Sequence, residues 1–135
     1  TPATPRLINI STRALLCSGS DELIAGMVVG GGTDRTVLIR AIGPSLSGFG
    51  VTNALAETTL EVYRAGSSPA IARNGDWGGG AILATAFAKA GAFALAPASR
   101  DSAVLVRLSP GAYTARVSTA PGATGVALVE IYELP

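Results

Sequence analysis

The chain has 135 residues, 48% of them hydrophobic and 14% charged, with ten Lys+Arg against nine Asp+Glu, one Cys and no His. A net charge of +1 provides no basic field to hold a phosphate backbone, so nucleic acid is excluded as an expected partner. Without His the chain cannot build a Ser-His-Asp triad, a Cys-His pair or a His-ligated zinc site.

Short β-rich runs separated by turn residues recur along the whole length, the pattern of a sandwich rather than of βαβ units. The expected fold is all-β: a jelly-roll-like β-sandwich of about eight antiparallel strands with one short helix, spanning residues 1–135 as a single domain. The first strand is expected over residues 6–16, with Ile8, Ile10, Ala14 and Leu16 on one face and Asn9, Ser11 and Arg13 on the other. Leu23–Val29 and Arg35–Ile42 follow, separated by Gly30-Gly31-Gly32-Thr33-Asp34. Residues 45–58 have no clean period and read as a long sheet-to-sheet crossing with one helical turn near residues 53–56. Residues 60–64 and 70–73 form a hairpin around Ala65-Gly66-Ser67-Ser68-Pro69. The one helical stripe is Ile82, Leu83, Ala86, Phe87 and Ala90, stopped by Gly91 and placed as a lid over one end of the sandwich. Residues 103–108, 112–118 and 126–132 complete the set as a meander. In the last of these both faces are apolar apart from Glu130, so it requires cover on both sides, from the helix, a loop or another subunit. Val37-Leu38-Ile39-Arg40 and Val104-Leu105-Val106-Arg107 echo each other, which reads as shared strand chemistry with an Arg at the solvent exit.

Few residues offer chemistry. Asn74, Asp76 and Asp101 are the best-placed oxygen ligands for a hard cation such as Ca²⁺, although Asx residues in turns usually bond their own backbone. Glu57 with Glu61 and Glu130 with Glu133 are the spaced acidic pairs; positions 130 and 133 face opposite sides of a strand and cannot act together as acid and base. Trp77 beside Asp76 is either a platform for a sugar ring or a plug under the helix. The glycine runs lack the residues of a phosphate loop and are turns. Cys17 is either buried as a small apolar residue or paired between molecules. No nucleophile stands beside a base, so no enzyme is expected.

Arg6-Leu7-Ile8-Asn9-Ile10-Ser11-Thr12-Arg13, Val37-Leu38-Ile39-Arg40-Ala41-Ile42-Gly43-Pro44-Ser45-Leu46, Leu60-Glu61-Val62-Tyr63 and Asn74-Gly75-Asp76-Trp77 together resemble a recurrent domain near the C-termini of large secreted and surface proteins of environmental bacteria. Gly111-Ala112-Tyr113-Thr114-Ala115 and the run from Thr124 to Tyr132 extend the resemblance, and the second half is also similar to the bacterial pre-peptidase C-terminal type of β-sandwich. The resemblance implies a jelly-roll-like, non-catalytic extracellular module. Relatives often carry Asn-Asp-Asp-Trp where this chain has Asn74-Gly75-Asp76-Trp77, which removes one carboxylate from any calcium set.

Mean hydropathy is +0.44, and the charged fraction of 14% lies below the roughly 25% usual in globular proteins. No run reaches the ~18 apolar residues of a membrane helix, so membrane insertion is not expected. Dispersed apolar surface of this kind is expected to be covered by other subunits, or else to be an Ala- and Gly-rich core. Thr1-Pro2-Ala3-Thr4-Pro5 reads as the start of a mature chain after signal-peptide removal, hence secreted or at the cell surface. The expected function is a structural subunit that assembles with itself into a filament or layer. Residues 1–16 would serve as a strand given to a neighbour, and Leu7, Ile8, Ile10, Leu16, Val126, Leu128 and Tyr132 as the contact. The alternative is a glycan-binding or anchoring module using Trp77 and Asp76, with polysaccharide as partner.

Overall fold

The alternation that marks strands in the sequence also decides which side chains meet. In the computed structural model, which describes residues 9–17 and 21–134, the strands are β1 (Asn9–Cys17), β2 (Leu23–Val29), β3 (Arg35–Ile42), β4 (Thr59–Arg64), β5 (Ala72–Asn74), β6 (Ser102–Leu108), β7 (Gly111–Ser118) and β8 (Thr124–Leu134). They form two four-stranded antiparallel sheets, ordered β1-β8-β3-β6 and β2-β7-β4-β5. The last four strands return along the first four in reverse, β5 on β4, β6 on β3, β7 on β2 and β8 on β1, which is jelly-roll topology. The expected fold is therefore the observed one.

Three local expectations change. The last three strands are not a meander, because β6 and β8 each pair with β3 while β7 lies in the other sheet between β2 and β4. The chain changes sheet at residues 109–110, where the Tyr113 hydroxyl donates to Ser109 O at 2.6 Å and pins the corner. The helical turn lies at Pro44–Phe49, as a 3-10 helix, rather than near residues 53–56. There Ala54 instead makes an isolated parallel bridge with Val126. Finally, α1 (Ala81–Ala90) covers a face of the first sheet rather than an end of the sandwich. Its Ala-rich sequence favours helix, and Gly91, at φ 72°, ends it with its N–H donating to Ala88 O.

One hydrophobic layer lies between the sheets and a second lies outside the first sheet. Val37, Ile39 and Ala41 of β3 and Ala127, Val129 and Ile131 of β8 face Leu60, Val62, Ala115 and Val117 of the opposite sheet. Each fully buried aliphatic side chain of this kind contributes about 1.5–3 kcal/mol. The alternate residues of the same strands, Leu38, Ile42, Tyr132 and Leu134, pack beneath Ala86 and Phe87 of α1 together with Trp77 and Leu95. β8 is thus covered on both faces by its own chain.

The two long sides of the sandwich differ. At the β5/β6 side the sheets are stitched together: Ala103 N donates to Asn74 Oδ1 at 3.1 Å and Ser102 Oγ to Thr58 O at 2.9 Å. At the other side, β1 and β2 are the outermost strands of their sheets, and among the described residues no strand pairs beyond either.

Candidate functional site

The residues singled out for cation binding are engaged in different ways. Asp101 is fully buried, and its carboxylate accepts from Gly43 N at 2.8 Å, Ser45 N at 3.3 Å and the Ser45 hydroxyl, so it caps the 3-10 helix. Asn74 uses Oδ1 on Ala103 N and donates from Nδ2 to Asp76 O at 2.9 Å, while the Asp76 side chain is exposed. The Asp101 carboxylate and Asn74 Oδ1 are thus taken up by hydrogen bonds within the chain. Among the described residues, no group of three or more His, Cys, Asp or Glu is gathered for a metal ion.

Trp77 is 6% exposed. Its ring centroid lies 5.0 Å from that of Phe87, and Nε1 donates to Ala96 O at 2.9 Å. Of its two readings the plug is the one observed, since a buried indole presents no face to a sugar.

The contact residues divide similarly. Leu7 and Ile8 lie outside the described residues. Leu16, 2% exposed, sits in the core between the sheets, and β1 pairs with its own β8 from Asn9↔Tyr132 to Cys17↔Thr124. β1 thus lies in the sheet of its own chain. Val126, Leu128 and Tyr132 pack in the layer under α1, so the cover required by β8 comes from the helix and loops. Ile10 remains partly exposed. Cys17 is exposed rather than buried.

A buried polar cluster that the sequence reading missed lies under α1. Arg40, read as a strand-exit residue, has 0% exposure. Its Nε donates to Glu130 Oε1 at 2.8 Å, Nη2 stands 2.7 Å from the same oxygen, and Nη1 donates to Phe93 O at 2.7 Å. The guanidinium carbon lies 4.7 Å and 4.5 Å from the ring centroids of Phe87 and Phe93. Tyr132 completes the cluster by donating from its hydroxyl to Glu130 Oε2 at 2.9 Å. Burial foremost, then the hydrogen bond to Glu130 and that residue's charge, push the Tyr132 phenol up to about 12, against a smaller opposing effect of Arg40. Below pH 10 the phenol is neutral in folded and unfolded chains alike. As pH rises from about 10 to about 12 only the unfolded chain ionises it, so stability falls across that window. Absorbance titration at alkaline pH is expected to show a delayed phenol that is absent from a Tyr132→Phe variant.

Among the described residues, a cleft of about 880 Å³ opens to solvent between the sheets, at the end where β1 begins and β2 finishes. Ile10, Met27, Val29, Val37, Tyr113 and Ile131 give it an apolar lining. Arg35 and Glu133, paired at 3.2 Å, supply charge at its wall, and Gly30 and Gly31 leave main chain without side chains at its rim. Asn9, the first residue of β1, also lines it.

The bare strand beside the cleft has a defined polarity. Ala65 N donates to Ala112 O at 2.9 Å, so Ala112, and by alternation Thr114 and Arg116, turn their main chain toward β4. Tyr113, Ala115 and Val117 therefore bond β2 through Met27, Ala25 and Leu23, leaving the N–H and C=O groups of Ile24, Gly26 and Val28 directed outward. Ile24 is 56% and Val28 78% exposed, and the seven residues of β2 carry no charge.

The β-sandwich is similar in fold to a pre-peptidase C-terminal domain. That of a collagenase from Bacillus anthracis superposes with a TM-score of 0.56 at 11% identity, covering 92% of this chain and 89% of that one. A chain from the disulfide-linked pili of Bacillus endospore appendages also aligns, over 100% of this chain and 96% of the other, at 11% identity and a TM-score of 0.31. No protein-family model matches the sequence, and no curated protein matches it. No helix among the described residues is long and apolar enough to cross a membrane.

Proposed function

We propose that this chain is a non-catalytic structural subunit of the cell exterior that assembles with copies of itself, the segment before Asn9 passing from each subunit into the cleft of a neighbour. The observation that carries this reading is the open apolar cleft, which has Asn9, the first residue of β1, in its lining. An extended segment suits such a site because its alternate side chains enter the cleft while its main chain meets backbone at the rim. Residues 1–8 contain Leu7 and Ile8 and no acidic residue. At about 3.3–3.6 Å per residue they reach up to ~26–29 Å, far enough to leave their own subunit. A contact of this head-to-tail kind need not close and then generates fibres.

The test is the assembly state of the full chain by sedimentation and negative-stain electron microscopy, beside a Leu7→Asp/Ile8→Asp variant. The expected result is extended assemblies for the parent chain and their loss in the variant. Assemblies of unchanged length in the variant would overturn donation by this segment.

A further inference from the structure

We infer that the bare edge of β2 is a self-complementary interface, pairing antiparallel with β2 of a second copy about a two-fold axis through Gly26. The inference rests on the reading that the protein associates with itself, but it uses a different element from the segment before Asn9. Ile24, Gly26 and Val28 are the residues whose main-chain groups face outward, and they are spaced symmetrically about Gly26. A two-fold axis there sets Gly26 against Gly26 of the other copy and Ile24 against Val28 in both directions. Every outward N–H then meets an outward C=O. The same register places each exposed Ile24 beside an exposed Val28, covering the two most accessible apolar side chains of the strand.

The occupant is argued from the edge itself. Natural edge strands are shielded by charge, Pro, bulges or shortness, and β2 has seven residues with no Lys, Arg, Asp, Glu or Pro among them. An unrelated partner strand would gain the main-chain bonds, but the match of Ile24 to Val28 about a central glycine is a property of the strand toward its own copy. The pairing would join the two four-stranded sheets β2-β7-β4-β5 into one continuous sheet.

The experiment compares apparent mass by sedimentation for four full-length proteins: the parent, Gly26→Pro, Ile24→Lys/Val28→Lys and Ile24→Glu/Val28→Glu. Proline at position 26 removes an outward N–H and none of the bonds to β7. The Lys and Glu variants change exposed side chains only. In the expected register each sets like charge against like in its own dimer and opposite charges in a mixture. The expected result is that Gly26→Pro halves the apparent mass of the basic unit, and that the Lys and Glu variants each remain single but form a one-to-one dimer when mixed. The unit should persist in Leu7→Asp/Ile8→Asp. A Gly26→Pro protein that folds and keeps the unit, or Lys and Glu variants that do not pair when mixed, would overturn the inference while leaving donation by the N-terminal segment standing. A parent chain that stays monomeric at high concentration would overturn both.

Discussion

Replacing Glu130 with Ala is expected to destabilise the protein by about 3–5 kcal/mol, a large part of the ~5–15 kcal/mol that holds a typical domain together. Arg40 is fully buried, so deletion of its partner leaves its guanidinium with only Phe93 O and two ring faces in place of a carboxylate. Tyr132 simultaneously loses the acceptor of its hydroxyl. The reference is the double variant Arg40→Met/Glu130→Leu, which removes both charges from the layer under α1 and is expected to cost much less than Glu130→Ala alone. Urea unfolding of the single and double variants checks this. A Glu130→Ala loss below about 1 kcal/mol would mean that water reaches the guanidinium.

Gly125→Ala is the second large effect expected. A Cβ at Gly125 would stand 2.7 Å from both Cα and N of Leu55 and 2.9 Å from Asn53 O, all of them main chain. That main chain is fixed, because Leu55 N donates to Val126 O at 2.9 Å and Val126 N to Asn53 O at 2.8 Å. From the other side Gly43 comes equally close, with its notional Cβ 2.7 Å from Leu55 O. Residue 55 is thus clamped between two glycines and has no direction in which to yield. The expected loss lies at or above the upper end of the ~1–3 kcal/mol typical of overpacking. Gly26→Ala is the control, since nothing lies within 4 Å of a Cβ there and stability should be unchanged or slightly raised. Thermal unfolding followed by circular dichroism compares the two.

The strands were legible where alternation and turn residues agree. The bounds of β2 and β3 coincide with the sequence reading, because glycine runs and β-branched residues mark both ends, and Gly91 ends α1 as expected. Pairing order was less legible: which strand lies beside β7 depends on contacts separated by most of the chain, and the turn at Ser109-Pro110-Gly111 reads equally as a hairpin or as a corner between sheets. The buried cluster was missed for a related reason. Period 2 assigns Arg40 to the same face as Leu38 and Ile42, and Glu130 to the same face as Leu128 and Tyr132, but it does not say that α1 covers that face. The signal was present all the same. Two opposite charges, each alone among apolar neighbours on its face, are better explained by each other than by solvent, and they pair at Arg40↔Glu130 in the register of β3 with β8. The cleft and the outward polarity of β2 are properties of how the two sheets sit together, and nothing local in the sequence encodes them.

The β1–β8 pair has a mechanical consequence. Because Asn9 is opposite Tyr132, the chain enters β1 and leaves β8 at the same end of that pair. Tension applied between the two ends of the chain would peel the ladder open one bond at a time instead of shearing all its bonds together, the weaker of the two loading modes. Load carried sideways through the sheets, in any assembly of such chains, would bypass this ladder and leave it closed.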